Sequence, residues 1–151
     1  MKRLALRLRP SLLDDLSLAP ALERIAADVE HNHPIAIALN VEDVLDLRMP
    51  GPVQTTLFRI TQEAFTNILT HSKATHATIT IRLRNRDPKP GIIELEIGDD
   101  GVGIPLRKQS GRDPGHLDLT GMRGRATLLG GEMLIESLLN RGTRLCIQLP
   151  I

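Results

Sequence analysis

Glu63, Asn67 and His71 follow one another at four-residue intervals within the stretch Leu57 to Ala74. At about 3.6 residues per turn, a carboxylate, an amide and an imidazole so spaced line one edge of a helix. The Asn67 carboxamide oxygen is a hard ligand of the kind Mg²⁺ prefers, and Glu63 can polarise a bound water or accept a proton. Such a row suits a hydrated cation and a polyphosphate. It also describes the wet edge of an ordinary amphipathic helix, because Leu57, Ile60, Ala64, Phe65 and Ile68 have the spacing of an adjoining buried face. A second stretch, Ile92 to Ile104, is an alternating apolar run that ends in Asp99-Asp100-Gly101-Val102-Gly103. A strand that delivers a carboxylate into a glycine turn suits a planar base. The carboxylate can accept a hydrogen bond from an exocyclic amine, and the glycines let backbone approach closely. Taken alone, Asp and Gly there are equally the residues of a common turn.

The elements that must position these groups can be read from the rest of the chain. Pro20 to Glu30 has the pattern of a helix with Leu22, Ile25, Ala26 and Val29 on one face. His31-Asn32-His33-Pro34 reads as a turn, because proline disfavours helix at the residue before it. Two histidines two apart invite a metal, but no Cys or acidic pair nearby completes a site. Ile35 to Asn40 is a short strand, and Met49-Pro50-Gly51-Pro52 is a loop into the helix that carries Glu63. His76 to Arg84 alternates as a half-buried strand, and a turn at Asp87 to Gly91 pairs it antiparallel with Ile92 to Ile97. Gly121 to Leu129 is a short helix whose N-terminal amides are open to phosphate oxygens. Met133 to Leu139 and Thr143 to Leu149 form a last hairpin around Asn140-Arg141-Gly142. The expected fold is α/β (α+β): a two-layer sandwich of a mixed, mostly antiparallel sheet with helices on one face.

With 151 residues the chain is long enough for one domain with a true core. Its 19 Lys and Arg balance 18 Asp and Glu, which argues against a dedicated nucleic-acid binder. Without Trp or Tyr and with two Phe, it has no base-stacking platform either. The single cysteine, Cys146, excludes an internal disulfide and reads as a small buried hydrophobe in a strand. No apolar run approaches the roughly 20 residues that cross a bilayer. Met1-Lys2-Arg3-Leu4 is too charged to open a secretory signal. The expectation is a soluble, cytoplasmic piece without membrane contact, with any anchor outside it.

In order and at the expected spacing, these stretches resemble the histidine-kinase/Hsp90/gyrase-type ATPases. The wording is closest to sensor histidine kinases of the nitrate-sensor and hexose-phosphate-sensor type. Arg59-Ile60-Thr61-Gln62-Glu63-Ala64-Phe65-Thr66-Asn67, closing at His71, is similar to that branch's N-box. Asp99 to Gly103 matches its first glycine box, and Leu119-Thr120-Gly121-Met122-Arg123-Gly124-Arg125 its second. Gly130-Gly131-Glu132, Arg141-Gly142-Thr143 and Ile147 to Pro150 match its closing strands. Arg9-Pro10-Ser11-Leu12-Leu13-Asp14-Asp15 looks like the joint between a dimerising helical hairpin and the ATP-binding domain. The resemblance therefore divides the chain into a joint at 1–17 and an ATP-binding domain at 18–151, of the Bergerat type.

The resemblance implies ATP and Mg²⁺ as ligands. Asp99 would hold the adenine amine, with Gly101 and Gly103 shaping its pocket and Thr143 at the adenine end. Asn67 would hold Mg²⁺ against the phosphates, and Glu63 would act as base. His71 and Lys73 would lie toward the phosphates, and Gly121 and Met122 would offer amides to them. Pro105 to Leu117 takes the position of the family's mobile lid. The implied activity is that of a protein-histidine kinase, with a histidine-bearing dimerisation segment and a response regulator as partners.

Two departures stand out. Relatives carry a glycine where this chain has Asp118, whose carboxylate would repel phosphate. The five histidines precede Asn32, Pro34, Ser72, Ala77 and Leu117, so none has the following acidic residue of a phosphoacceptor. Autophosphorylation is not expected of this chain alone, and without the dimerising helices a monomer is expected. A nucleotide-free interaction module with the same fold and an anti-sigma-type serine kinase stand as alternatives. The Arg9 to Asp15 joint argues against the serine kinase, and the set Glu63, Asn67, Asp99 and Gly103 against the module.

Overall fold

Leu18, Leu22, Ile25 and Val29 recur at helical spacing, and all four are buried along helix α1 (Leu18–Asn32). The structure, a computed structural model, describes residues 17–41, 49–84, 91–103, 119–138 and 140–151. The Arg9 to Asp15 joint, the stretch 105–117 and Asp118 lie outside the described residues. α1 runs two residues beyond the expected end at Glu30. The Asn32 amide nitrogen donates to the Asp28 carbonyl (2.9 Å) and the His33 backbone N–H to that of Val29 (2.9 Å), which closes the last turn. His33 itself is extended, as a residue before proline should be.

Strand β1 (Ala36–Asn40) follows at once. Its outward N–H at Ile37 donates to the Glu30 carboxylate (2.7 Å), so α1 covers part of that edge. Helix α2 (Gly51–Asn67) begins at Gly51, so the expected loop at 49–52 is in fact the helix start. Pro52 sits in the first turn, where a missing N–H leaves no bond unmade. α2 buries Val53, Leu57, Phe58, Ile60, Thr61, Ala64 and Phe65. The Thr61 hydroxyl donates to the Leu57 carbonyl (2.9 Å), so its burial leaves no unsatisfied group. The helix then widens into one π turn, Ile68–Ser72, and stops at Lys73 in the left-handed conformation (φ 55°).

The remaining elements are β2 (His76–Arg84), β3 (Ile92–Asp99), α3 (Thr120–Leu128), β4 (Glu132–Leu138) and β5 (Gly142–Pro150). They form one sheet in the order β1-β2-β3-β5-β4. β1 pairs parallel with β2, and every other pair is antiparallel. The inner face buries Ile79, Ile81, Ile93, Leu95, Ile97, Leu145, Ile147 and Leu149, which join the helix residues in one core. The outer face carries a lattice of charge: Arg84 reaches Glu94 at 3.2 Å, and Arg144 contacts both Glu96 and Glu136. Cys146 lies on this face, opposite Glu96 and Leu134, and is half-buried rather than a core residue. Burial and then the nearby Glu94 push its thiol pKa up.

Phe65 is fully buried in the last turn of α2. Phe65→Ala is expected to cost about 3–5 kcal/mol, read as a lower urea midpoint at unchanged slope.

Candidate nucleotide-binding site

On the inner face of the sheet, one cross-strand row is Ile97, Leu145 and Ile135, and the next is Asp99, Thr143 and Ser137. The apolar core thus ends in a polar row at the end of β3. The alternation that points Ile93, Leu95 and Ile97 inward turns Asp99 to the same side. A cavity of about 50 Å³ opens there. Ala64, Asn67, Ile68 and His71 of α2 and its π turn line one side, Leu119 and Met122 another, and Gly103 and Thr143 flank Asp99. The cavity is a narrow, mostly apolar slot with one carboxylate at its wall; that lining suits a flat base with a donor on its edge, and the slot must widen to admit one.

The loop that carries Asp99 is held on two sides. Toward α2, the Ser72 carbonyl accepts the Val102 N–H (2.7 Å), and Gly101 packs so closely that a Cβ there would lie 2.2 Å from the same oxygen. Only glycine permits that approach. Toward the β4–β5 turn, the Asn140 N–H donates to the Val102 carbonyl (2.6 Å). Asp100, which reads in the sequence only as part of a turn, joins this loop to the start of β2. Its carboxylate accepts the backbone N–H groups of Thr75 (2.8 Å) and His76 (2.9 Å) and the Thr75 hydroxyl (2.9 Å), and it meets His76 Nδ1 at 3.2 Å.

The two adjacent carboxylates are driven apart in acidity. Burial raises the pKa of Asp99, against the lowering effect of the Gly101 N–H on its carboxylate (2.8 Å), and the charge of Asp100 raises it further. The His76 N–H, with the hydroxyl and the backbone N–H of Thr75, holds Asp100 well below the usual carboxylate range. As pH falls, Asp99 takes its proton first. A carboxyl whose pKa is depressed on folding stabilises the fold above its unfolded pKa and loses that contribution only as pH falls through the folded one. The Asp100 tie therefore outlasts the charge of Asp99 in acid.

Asn67 and His71 reach the cavity from the end of α2, and among the described residues the Asn67 carboxamide has no hydrogen-bond partner. Its oxygen is free for a cation. No cluster of three His, Cys, Asp or Glu side chains gathers among the described residues, so a cation beside Asn67 would complete its shell with phosphate and water, as Mg²⁺ does. Glu63, one turn back, is paired with Arg125 of α3 (2.8 Å). Gly121 lies against this pair: a Cβ there would stand 3.3 Å from a Glu63 oxygen. The pairing spans 62 positions in the chain, and no local signal in the sequence announces it. Gly121 sits in the first turn of α3, and Met122, one residue on, is buried in the cavity wall. Lys73 is exposed just beyond the π turn and is not part of the wall.

The sheet order, the slot and the ends of α2 and β3 that line it define a nucleotide-binding domain of known type. Residues 53–151 match the family of histidine kinase-, DNA gyrase B-, and HSP90-like ATPases, and the chain belongs to it. Sensor protein VraS of Staphylococcus saprophyticus is 35% identical over all 151 residues, and that of Staphylococcus aureus strain COL 34%. The chain spans 40% of the length of these relatives. Among solved structures, the histidine kinase domain of the blue-light activated histidine kinase of Erythrobacter litoralis EL346 superposes with a TM-score of 0.67. The alignment covers 88% of this chain and 60% of that one, and at 22% identity it speaks to the fold.

Proposed function

We propose that this chain binds ATP with Mg²⁺ and donates the γ-phosphoryl group to a histidine outside the chain, for relay to a response regulator. The observation that carries this reading is the convergence of Asn67, His71, Asp99, Gly103, Met122 and Thr143 on one slot in a member of this ATPase family. Asp99 accepts the hydrogen bond of the adenine amine, and its partial burial strengthens that bond over one made in water. Gly101 and Gly103 bring backbone to the edge of the base, and Thr143 closes the adenine end. Asn67 supplies an oxygen to the cation, and His71 and Lys73 face the phosphate side. Gly121 and Met122, at the start of α3, offer amides to phosphate oxygens. Glu63, oriented by its contact with Arg125, is the group placed to accept a proton or to order water. When bound, the nucleotide supplies the phosphoryl group, and positioning with charge neutralisation is most of what its transfer requires.

The wording of the N-box supports placing the chain in the nitrate-sensor and hexose-phosphate-sensor branch, with a histidine-bearing dimerisation segment as the acceptor. Among the described residues no helix is long and apolar enough to cross a membrane. This accords with a domain that works on the cytoplasmic side, where ATP and a response regulator are available.

Calorimetric titration of ATP in Mg²⁺ buffer tests the proposal. Asp99→Asn puts a donor where the amine needs an acceptor, and it is expected to weaken ATP about tenfold or more. A well-folded sample that takes up no ATP at millimolar concentration would overturn the proposal and leave a nucleotide-free interaction module.

A further inference from the structure

Asp99 can select an amine only if its carboxylate is held at one angle, and its own strand does little to hold it there. β3 ends at Asp99, and beyond it the chain turns through Gly101 and Gly103, the second at positive φ (77°). Two backbone hydrogen bonds restrain the carboxylate, one from Thr143 on the neighbouring strand and a stronger one from Gly101, and the second depends on the next side chain. The Asp100 carboxylate takes both backbone N–H groups at the entry to β2 and the Thr75 hydroxyl, while the Asp100 N–H donates to the His76 carbonyl (3.1 Å). The tie extends the β2–β3 ladder past its last pair, Ala77 with Asp99. It fixes the peptide between Asp99 and Asp100, and with it the Gly101 N–H that grips the Asp99 carboxylate at 2.8 Å. The residues Asp100 seizes follow the π turn, Lys73 and Ala74, so the same tie joins the Asp99 loop to the end of the segment that carries Asn67 and His71.

We propose that Asp100 is a positioning residue for base selection: it aims Asp99, and preference for a base with a 6-amino group depends on the bonds from Asp100 to Thr75 and His76. The groups that face Asp100 are the neighbouring Asp99 carboxylate, the His76 imidazole and the Thr75 hydroxyl. It is not among the residues that line the slot, whereas Asp99 is. The inference rests on the nucleotide reading above, and its test separates the two.

The experiment compares ATP with purine riboside triphosphate, which lacks the amine, on the intact chain and on Asp100→Ala, Asp100→Asn and Thr75→Val. The unaltered chain is expected to favour ATP about tenfold, the worth of one hydrogen bond to a charged acceptor. Asp100→Ala should bring that ratio close to one by weakening ATP alone. Asp100→Asn keeps one acceptor oxygen and Thr75→Val removes one donor, so both should fall between. A general loosening of the fold would weaken both nucleotides equally, and that result overturns the proposal. Hydrogen exchange supplies a readout without nucleotide: the Gly101 amide should exchange faster in Asp100→Asn and Thr75→Val. Unchanged exchange there overturns the role of Asp100 even if neither nucleotide binds. Absence of ATP binding in the intact chain is instead the failure of the nucleotide reading.

Discussion

Asn67→Ala is expected to lower ATP affinity in Mg²⁺ buffer by about 100-fold or more, while binding measured in excess chelator changes little. The size follows from the position of the carboxamide. It reaches the cavity wall beside His71 with no partner among the described residues, so its oxygen is the one hard neutral donor there that nothing else engages. Losing even an indirect support of a metal site commonly costs about 10–100-fold in metal affinity, and a direct ligand belongs at the top of that range or above it. The fold should not suffer. Asn67 closes α2, its side chain holds up no other residue, and alanine is the better helix former by several tenths of a kcal/mol. A thermal melt equal to that of the unaltered chain would confirm that the loss is local. An equal loss of affinity with and without Mg²⁺ would mean that Asn67 contacts the nucleotide directly, and no loss would remove it from the site.

How much of this can be read in the chain depends on the range of the interaction involved. Periodicity gives α2 its buried face and puts Glu63, Asn67 and His71 on one edge, because helix geometry acts over a few residues. The alternation of β2, β3 and β5 likewise yields strands that match closely in extent, and Asp99 ends its strand as expected. What escapes is tertiary. Nothing near Glu63 marks Arg125 as its partner, 62 positions away. Asp100 looks like any second aspartate in a turn until β2 brings Thr75 and His76 beneath it. The π turn is invisible in the sequence because Ile68 to Ser72 is an ordinary helical string. Its widening goes with the Ser72 hydroxyl, which donates to the Ile68 carbonyl (2.8 Å) and accepts the Ala74 N–H (3.1 Å). The start of α2 departs from expectation for a different reason: Pro50, Gly51 and Pro52 read as breakers, although a proline in the first turn is compatible with helix.

Gly142→Ala is expected to destabilise the fold by about 2–6 kcal/mol and to weaken ATP binding with it. Two separate costs meet at this position. Gly142 has φ 92°, a conformation that strains a residue with a side chain by about 1–3 kcal/mol. A Cβ there would also lie 2.0 Å from the Asp99 carbonyl oxygen and 3.2 Å from the Asp100 Cα. Both neighbours are backbone in a loop tied down by Ser72, Thr75, His76 and Asn140, so neither can yield without dragging the pocket with it. Overpacking of that kind adds about 1–3 kcal/mol. The total is a large share of the roughly 5–15 kcal/mol that holds a domain together, and for a chain of this size it lowers the melting temperature by roughly 10 °C. Gly124→Ala is the matched control. It lies inside α3 with nothing within 4 Å of the place a methyl group would take, so the same substitution should stabilise by up to about 1 kcal/mol. Opposite signs at the two glycines would assign the loss at Gly142 to its contact with the Asp99 loop. If Gly142→Ala melts with the unaltered chain, the β4–β5 turn does not press on that loop, and the pocket floor is set by Ser72 and Asp100 alone.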